Sequence, residues 1–146
     1  MAGSRIDRAP TWLLSRANAR AQAIRFDAFA VAGSSGYRAR LLASLADEGV
    51  ASQIELSRRT GIDPSDVVAA VKDLESLGFV ARRRDPRDAR RNVVALTRAG
   101  RTELARLDAV VAEVQERFLA PLSESERRQL QRILVKLAAD QSRESR

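Results

Sequence analysis

The chain has 146 residues, 45% of them hydrophobic and 4% aromatic, and a formal net charge of +7 from 26 Lys+Arg against 19 Asp+Glu. It contains neither Cys nor His, which excludes disulfides, thiolate metal sites and a thiol switch and removes the commonest general base, so no enzyme, metal site or cofactor is expected. No apolar run exceeds five residues (28–32 and 67–71), and residues 1–14 hold no stretch of signal-peptide length; no membrane span is expected, and the expected location is the cytoplasm.

In chain order, Thr11–Ala32 reads as a helix, with Leu14, Ala17, Ala21, Ile24, Ala28 and Val31 on one stripe at alternating steps of three and four. Gly33-Ser34-Ser35-Gly36 breaks it, and a second helix runs from about Tyr37 to Ala46 with Leu41, Leu42 and Leu45 apolar. Ser52-Gln53-Ile54-Glu55 is a capping box that opens a short helix ending at Gly61. Asp63-Pro64 opens the next helix, whose inner stripe is Val67, Ala70, Val71, Leu74 and Leu77, and Gly78 ends it. A short capped helix, a tight turn and a longer capped helix form a helix-turn-helix.

After Gly78 the pattern turns to strand. Phe79–Arg84 and Asn92–Leu96 are predicted strands, joined by the charged loop Asp85–Arg91, which makes a wing. Thr97 caps a long helix to about Phe118 with Leu104, Leu107, Val111, Val114 and Phe118 on one stripe. Ser123 starts a last helix, to about Ala139, with Leu130, Ile133, Leu134 and Leu137 apolar. The polar tail 141–146 is expected to fray. The fold class is therefore mainly α with a small β wing.

Charge is concentrated where the wing turns. Residues 82–91 carry six arginines (82, 83, 84, 87, 90 and 91) against Asp85 and Asp88, a local net of +4. Such a run alone is compatible with a solvated face. At the tip of a hairpin beside a helix-turn-helix, it can instead grip a duplex backbone and enter a narrow minor groove. Residues 80–117 hold no aromatic side chain, and single-strand or RNA binders need such stacking platforms, so double-stranded DNA is favoured.

Leu56, Ile62, Asp63-Pro64-Ser65, the run Leu74–Val80 and above all Asp85-Pro86-Arg87-Asp88-Ala89-Arg90-Arg91-Asn92, followed by Val93 and Leu96-Thr97-Arg98-Ala99-Gly100, resemble the multiple-antibiotic-resistance regulator (MarR) family across about residues 11–139. The resemblance implies one domain over 1–146. Its amino- and carboxy-terminal helices (about 11–36 and 97–139) would dimerise, and a winged helix-turn-helix lobe (about 37–96) would bind DNA. A homodimer places two reading helices about one DNA turn apart, so the operator should be an inverted repeat. The resemblance makes Arg90 the wing-tip minor-groove residue and Asp88 an orienter of arginine side chains. Arg83, Arg84, Arg87 and Arg91 become candidate phosphate contacts.

On the second helix of the motif, the face opposite the apolar stripe carries Ser65, Asp66, Val68, Ala69 and Lys72. Val and Ala can touch a thymine methyl and Asp can accept from cytosine, but Lys72 is the only candidate guanine reader. Asp66 serves equally well at the helix start. DNA affinity is therefore expected to rest disproportionately on the wing. Family members often respond to small aromatic or phenolic anions, and Trp12, Arg16, Tyr37 and Arg38 either bind such a ligand or pack between helices. The expected function is a DNA-binding transcriptional regulator, a homodimeric repressor released by a small molecule. The alternative is a winged-helix protein-interaction module whose basic wing serves an acidic protein.

Overall fold

Helix starts in and next to the lobe are set by side chains that satisfy a free helix-end amide. In the computed structural model, which describes residues 4–139, Ser35 accepts from the Arg38 amide, Ser52 from Glu55, Asp63 from Ser65 and Thr97 from Gly100. A 3-10 turn, Ile6–Arg8, precedes α1 (Pro10–Val31), α2 (Gly36–Glu48), α3 (Gln53–Thr60) and α4 (Pro64–Ser76). The hairpin β1 (Val80–Asp85) and β2 (Asp88–Leu96) follows, then α5 (Arg98–Leu119) and α6 (Glu124–Ala139). The fraying expected of residues 141–146 lies outside the described residues.

The fold class agrees with expectation, and the core sits inside the lobe. Leu41 and Leu42 of α2, Leu56 of α3, Val67 and Val71 of α4 and Leu107 of α5 are wholly enclosed. At roughly 1.5–3 kcal/mol for each large aliphatic side chain removed from water, this cluster dominates the cohesion of the lobe. Because Leu107 belongs to it, the lobe is closed by α5 as well as by its own helices. The α3–α4 turn passes through Gly61 at φ 69°, a left-handed conformation that only glycine adopts without strain. A second fastener was not legible in the sequence: Ala51 and Val94 exchange backbone hydrogen bonds of 3.2 and 2.7 Å, so β2 pairs with the segment before α3. One isolated bridge leaves no periodic pattern.

Several stripe residues are not buried, among them Leu14, Val111 and the apolar residues of α6, and at two helix ends a neighbouring residue enters the core instead. Val31 is 86% exposed, and Phe29 enters the core instead. Toward its end α1 meets the lobe as well as α5, and Ala28 and Phe29 there are the residues it buries. Leu77 is half exposed because it lies beyond the last turn of α4, and Phe79 packs against the core instead.

Helices α1 and α5 run antiparallel and are clamped at intervals. The Arg20 guanidinium donates to the carbonyls of Phe118 (2.7 Å) and Arg117 (2.9 Å) and lies over the Phe118 ring. Arg117 pairs with Asp27 at 3.1 Å, and Arg106 donates to the Ala32 carbonyl at 3.0 Å. Arg20 thereby satisfies carbonyls at the end of α5 that the helix itself leaves free. The first turns of α1 project past the end of α5. There Trp12, Leu13 and Leu14 are about half exposed, as are Ile133 and Leu137 of α6, which buries no residue within its own chain.

Candidate nucleic-acid interface

The second helix of the motif presents the anticipated face. Ser65, Asp66, Val68, Ala69 and Lys72 are all exposed, while Val67, Ala70, Val71 and Leu74 are buried. The capping role left open for Asp66 belongs to Asp63, whose Oδ1 accepts from the Ser65 amide at 2.9 Å. The side chains of Asp66 and Lys72 have no partner among the described residues. Asp73, one position on, is held by Arg38 of α2 at 3.3 Å.

The wing differs from the expected loop. Only Pro86 and Arg87 form the turn; Asp88–Arg91 belong to β2. Pairing is regular from Val80↔Leu96 to Arg84↔Asn92 and then jumps to Asp85↔Asp88, leaving Ala89, Arg90 and Arg91 without partners on β1. This irregular stretch is pinned by side chains. Asp88 Oδ1 accepts from the Arg90 amide at 3.0 Å, and Arg84 donates to the Ala89 carbonyl at 2.8 Å. Asp88 therefore acts on the backbone of Arg90, whereas orientation of arginine side chains was expected. The carboxylates that meet wing arginines are Glu55, Asp85 and Glu75. Bulges of this kind re-aim a strand's side chains.

The six wing arginines thus divide. Arg82 pairs with Glu75 of α4 at 3.2 Å, Arg84 holds the Ala89 carbonyl, and Arg91 meets Glu55 and Asp85. Arg83, Arg87 and Arg90 are exposed, and their guanidinium groups have no partner among the described residues. Those three are available to phosphate or a groove without first breaking an internal pair. Glu55 was legible only as a capping-box residue; its place beside Arg91 has no local signature.

Glu55 is held well below the ordinary carboxylate range, to about 2, chiefly by the hydrogen bond from the Ser52 amide and then by that from Arg91. A depressed value in the folded state means the stabilisation is complete above the unfolded value near 4.5 and is lost as pH falls toward 2. Glu55→Gln is expected to be less stable than the wild type at pH 6, with the gap closing between about pH 4.5 and pH 2. Urea unfolding across that range checks it, and a gap constant with pH would count against this assignment.

The four residues expected near a ligand do not come together. Tyr37 lines a cleft of about 1040 Å³ between α1, α2 and the α3–α4 turn, with Arg25, Phe26, Arg40, Ile62 and Asp66. Arg38 lines a separate cavity of about 150 Å³ with Leu42, Leu74, Phe79 and Arg106. Trp12 and Arg16 line neither, because both stand on the part of α1 that projects beyond the lobe. Among the described residues, no helix is long and apolar enough to cross a membrane, and no cluster of acidic side chains could hold a metal ion.

Comparison with known proteins agrees with this architecture. Residues 35–91 match the model of the MarR family. The chain is 34% identical to the HTH-type transcriptional regulator YdgJ of Bacillus subtilis, across 78% of this chain and 68% of that protein. It is likewise 34% identical to the HTH-type transcriptional repressor Rv2887 of Mycobacterium tuberculosis, across 61% of this chain and 64% of that protein. A crystal structure of a probable transcriptional regulator from Pseudomonas aeruginosa superposes with a TM-score of 0.81 at 33% identity, covering 91% of this chain and 99% of the other. The winged helix-turn-helix described above is thus that of a known group of DNA-binding regulators, and the chain belongs to the MarR family of transcriptional regulators.

Proposed function

We propose that the protein is a homodimeric repressor that binds an inverted-repeat operator through α4 and the wing and is released by a small aromatic anion. The observation that carries the DNA reading is the pairing, on one lobe, of an exposed α4 face with three arginines (Arg83, Arg87 and Arg90) on an irregular hairpin that have no partner among the described residues. Residues 37–96 would form the reading lobe, with α1 and the 97–139 segment forming the dimer base. The dimer reading is supported by the apolar residues of α6 and the first turns of α1, which their own chain leaves uncovered. A self-complementary surface of this kind is what a two-fold interface requires.

The ligand reading is supported by the cleft around Tyr37. Ring surface from Tyr37 and Phe26 stands with the cations Arg25 and Arg40, and Ile62 and Asp66 join it to α4. A ligand there that favours a different angle between α1 and the lobe lowers DNA affinity by population shift. The test combines light scattering on the purified protein with selection of duplexes from a random pool. A dimer and recovered sequences with two-fold symmetry are expected. A monomer that recovers no palindrome, or binding indifferent to both sequence and salt, would favour the protein-interaction alternative.

A further inference from the structure

Arg91 sits beside two carboxylates while its side chain stays partly exposed. Its terminal nitrogen meets Glu55 of α3, and its buried Nε lies 3.6 Å from Asp85 Oδ2, outside hydrogen-bond reach. Glu55 is itself immobilised, because it accepts from the Ser52 amide at 2.8 Å within the capping box. The anchor is therefore part of a helix end and not a mobile surface group.

The place of this contact along the wing gives it a consequence. The base of β2 is fastened to the lobe by the paired backbone of Ala51 and Val94. Beyond Arg84↔Asn92 the ladder is interrupted, and Ala89–Arg91 have no partner on β1. An isolated two-stranded ribbon is marginal in water, so the outer wing needs a tether to hold one position against α4. Among the described residues, the Arg91 side chain is the one polar link from that unpaired stretch to the helix-turn-helix. Arg82 ties the wing to Glu75 of α4 nearer its base.

We propose that Arg91 is a positioning residue, locked by Glu55, that sets where the neighbouring Arg90 meets DNA. This rests on the reading that the lobe binds duplex DNA. Turning Arg91 toward a phosphate would leave the charges of Glu55 and Asp85 without a cation beside the polyanion, and like-charge repulsion opposes any gain from the new contact. Arg90 and Arg91 are adjacent in the sequence and equal in charge, yet the fold gives them different work.

The test compares wild type, Arg90→Ala, Arg91→Gln, Glu55→Gln and the Glu55→Gln/Arg91→Gln double variant on a duplex recovered by the wild type from a random pool, over a salt series. Glutamine at 55 can still accept in the capping box, so it removes the charge pair while sparing the helix start; thermal unfolding checks that each variant is folded. Glu55→Gln and Arg91→Gln are each expected to weaken binding about fivefold or more, and the double variant no further, the coupling expected of residues in contact. The salt slope of Arg91→Gln should match the wild type, whereas Arg90→Ala should lose about 0.9 for each phosphate contact removed.

If Arg91 were itself a phosphate contact, Glu55→Gln would bind as tightly as the wild type or tighter, since it deletes a negative charge near DNA. The slope of Arg91→Gln would also fall. Either result overturns the proposal. Should Arg91→Gln not fold, Arg91→Lys replaces it. That variant keeps the charge but changes its reach; binding that adding Glu55→Gln weakens no further supports positioning, and binding that Glu55→Gln improves refutes it. Salt-indifferent or absent duplex binding by the wild type removes the DNA reading itself and this inference with it.

Discussion

Arg90→Ala is expected to weaken binding of the recovered palindrome by about 10- to 100-fold, while Lys72→Ala costs fivefold or less. The estimate follows from roughly 1–3 kcal/mol for a well-placed groove or backbone contact. The contrast follows from how the two side chains are mounted. Arg90 stands in the bulged segment of β2, its amide fixed by Asp88 at 3.0 Å and the preceding carbonyl fixed by Arg84 at 2.8 Å. Its guanidinium has no internal partner among the described residues, so binding sacrifices no existing pair. Lys72 is also unpartnered, but it is a flexible point charge near the end of an α4 face that otherwise offers Ser65, Asp66, Val68 and Ala69. Asp66 on the same face opposes phosphate approach. Equal losses for the two variants, measured by fluorescence anisotropy at one salt concentration, would show that affinity is not concentrated in the wing.

The second large effect concerns the joint between α5 and the reading helix. Gly100→Ala is expected to destabilise the protein by about 1–3 kcal/mol, the usual range for forcing extra volume into a packed site. Intrinsic helix propensity points the other way, since Ala is favoured over Gly inside a helix by roughly 0.8–1.0 kcal/mol. The sign is therefore diagnostic. A Cβ at position 100 would overlap the Phe79 carbonyl oxygen and crowd Leu96 Cδ1. That oxygen cannot easily retreat, because it accepts from the Thr97 amide at 3.1 Å while the Thr97 hydroxyl donates to the Gly78 carbonyl at 2.6 Å. The first turn of α5 is thus bolted to the chain just after α4. Urea unfolding at one fixed protein concentration measures the change, the concentration being held because dimerisation contributes to apparent stability. A stabilised Gly100→Ala protein would mean that the joint is looser than these distances indicate.

The arginines illustrate how much of the site was legible. Six of them within ten residues, set between two strand-like segments after a capped helix pair, pointed to a basic wing without any coordinates. Their division into Arg82 and Arg91, spent on carboxylates, Arg84, spent on a carbonyl, and Arg83, Arg87 and Arg90, left unpaired, was not legible. Glu55 lies on a helix distant in sequence from Arg91, and Glu75 meets Arg82 only across the turn between α4 and β1. Charge counting cannot tell which cations are already neutralised. The ligand candidates are separated within the chain for a related reason. Trp12 and Arg16 share the chemistry of an aromatic-anion site, but the antiparallel clamp of α1 on α5 carries them past the lobe, and Arg25 and Phe26 line the cleft with Tyr37 in their stead.

Patterns confined to a few neighbouring residues (the Ser52–Glu55 and Asp63 caps, the apolar stripes of α2 and α4, the Thr97 start of α5) specify helices, and their order specifies a winged helix-turn-helix, because such interactions act within one or two turns of chain. Tertiary packing decided the rest: the rotation that buries Phe29 and exposes Val31, the Ala51–Val94 bridge, the interrupted wing ladder and the carboxylate that claims Arg91. Apart from the wing ladder, which contacts within the hairpin interrupt, each of these depends on groups that meet only after the core has closed. No run of adjacent side chains encodes such a meeting.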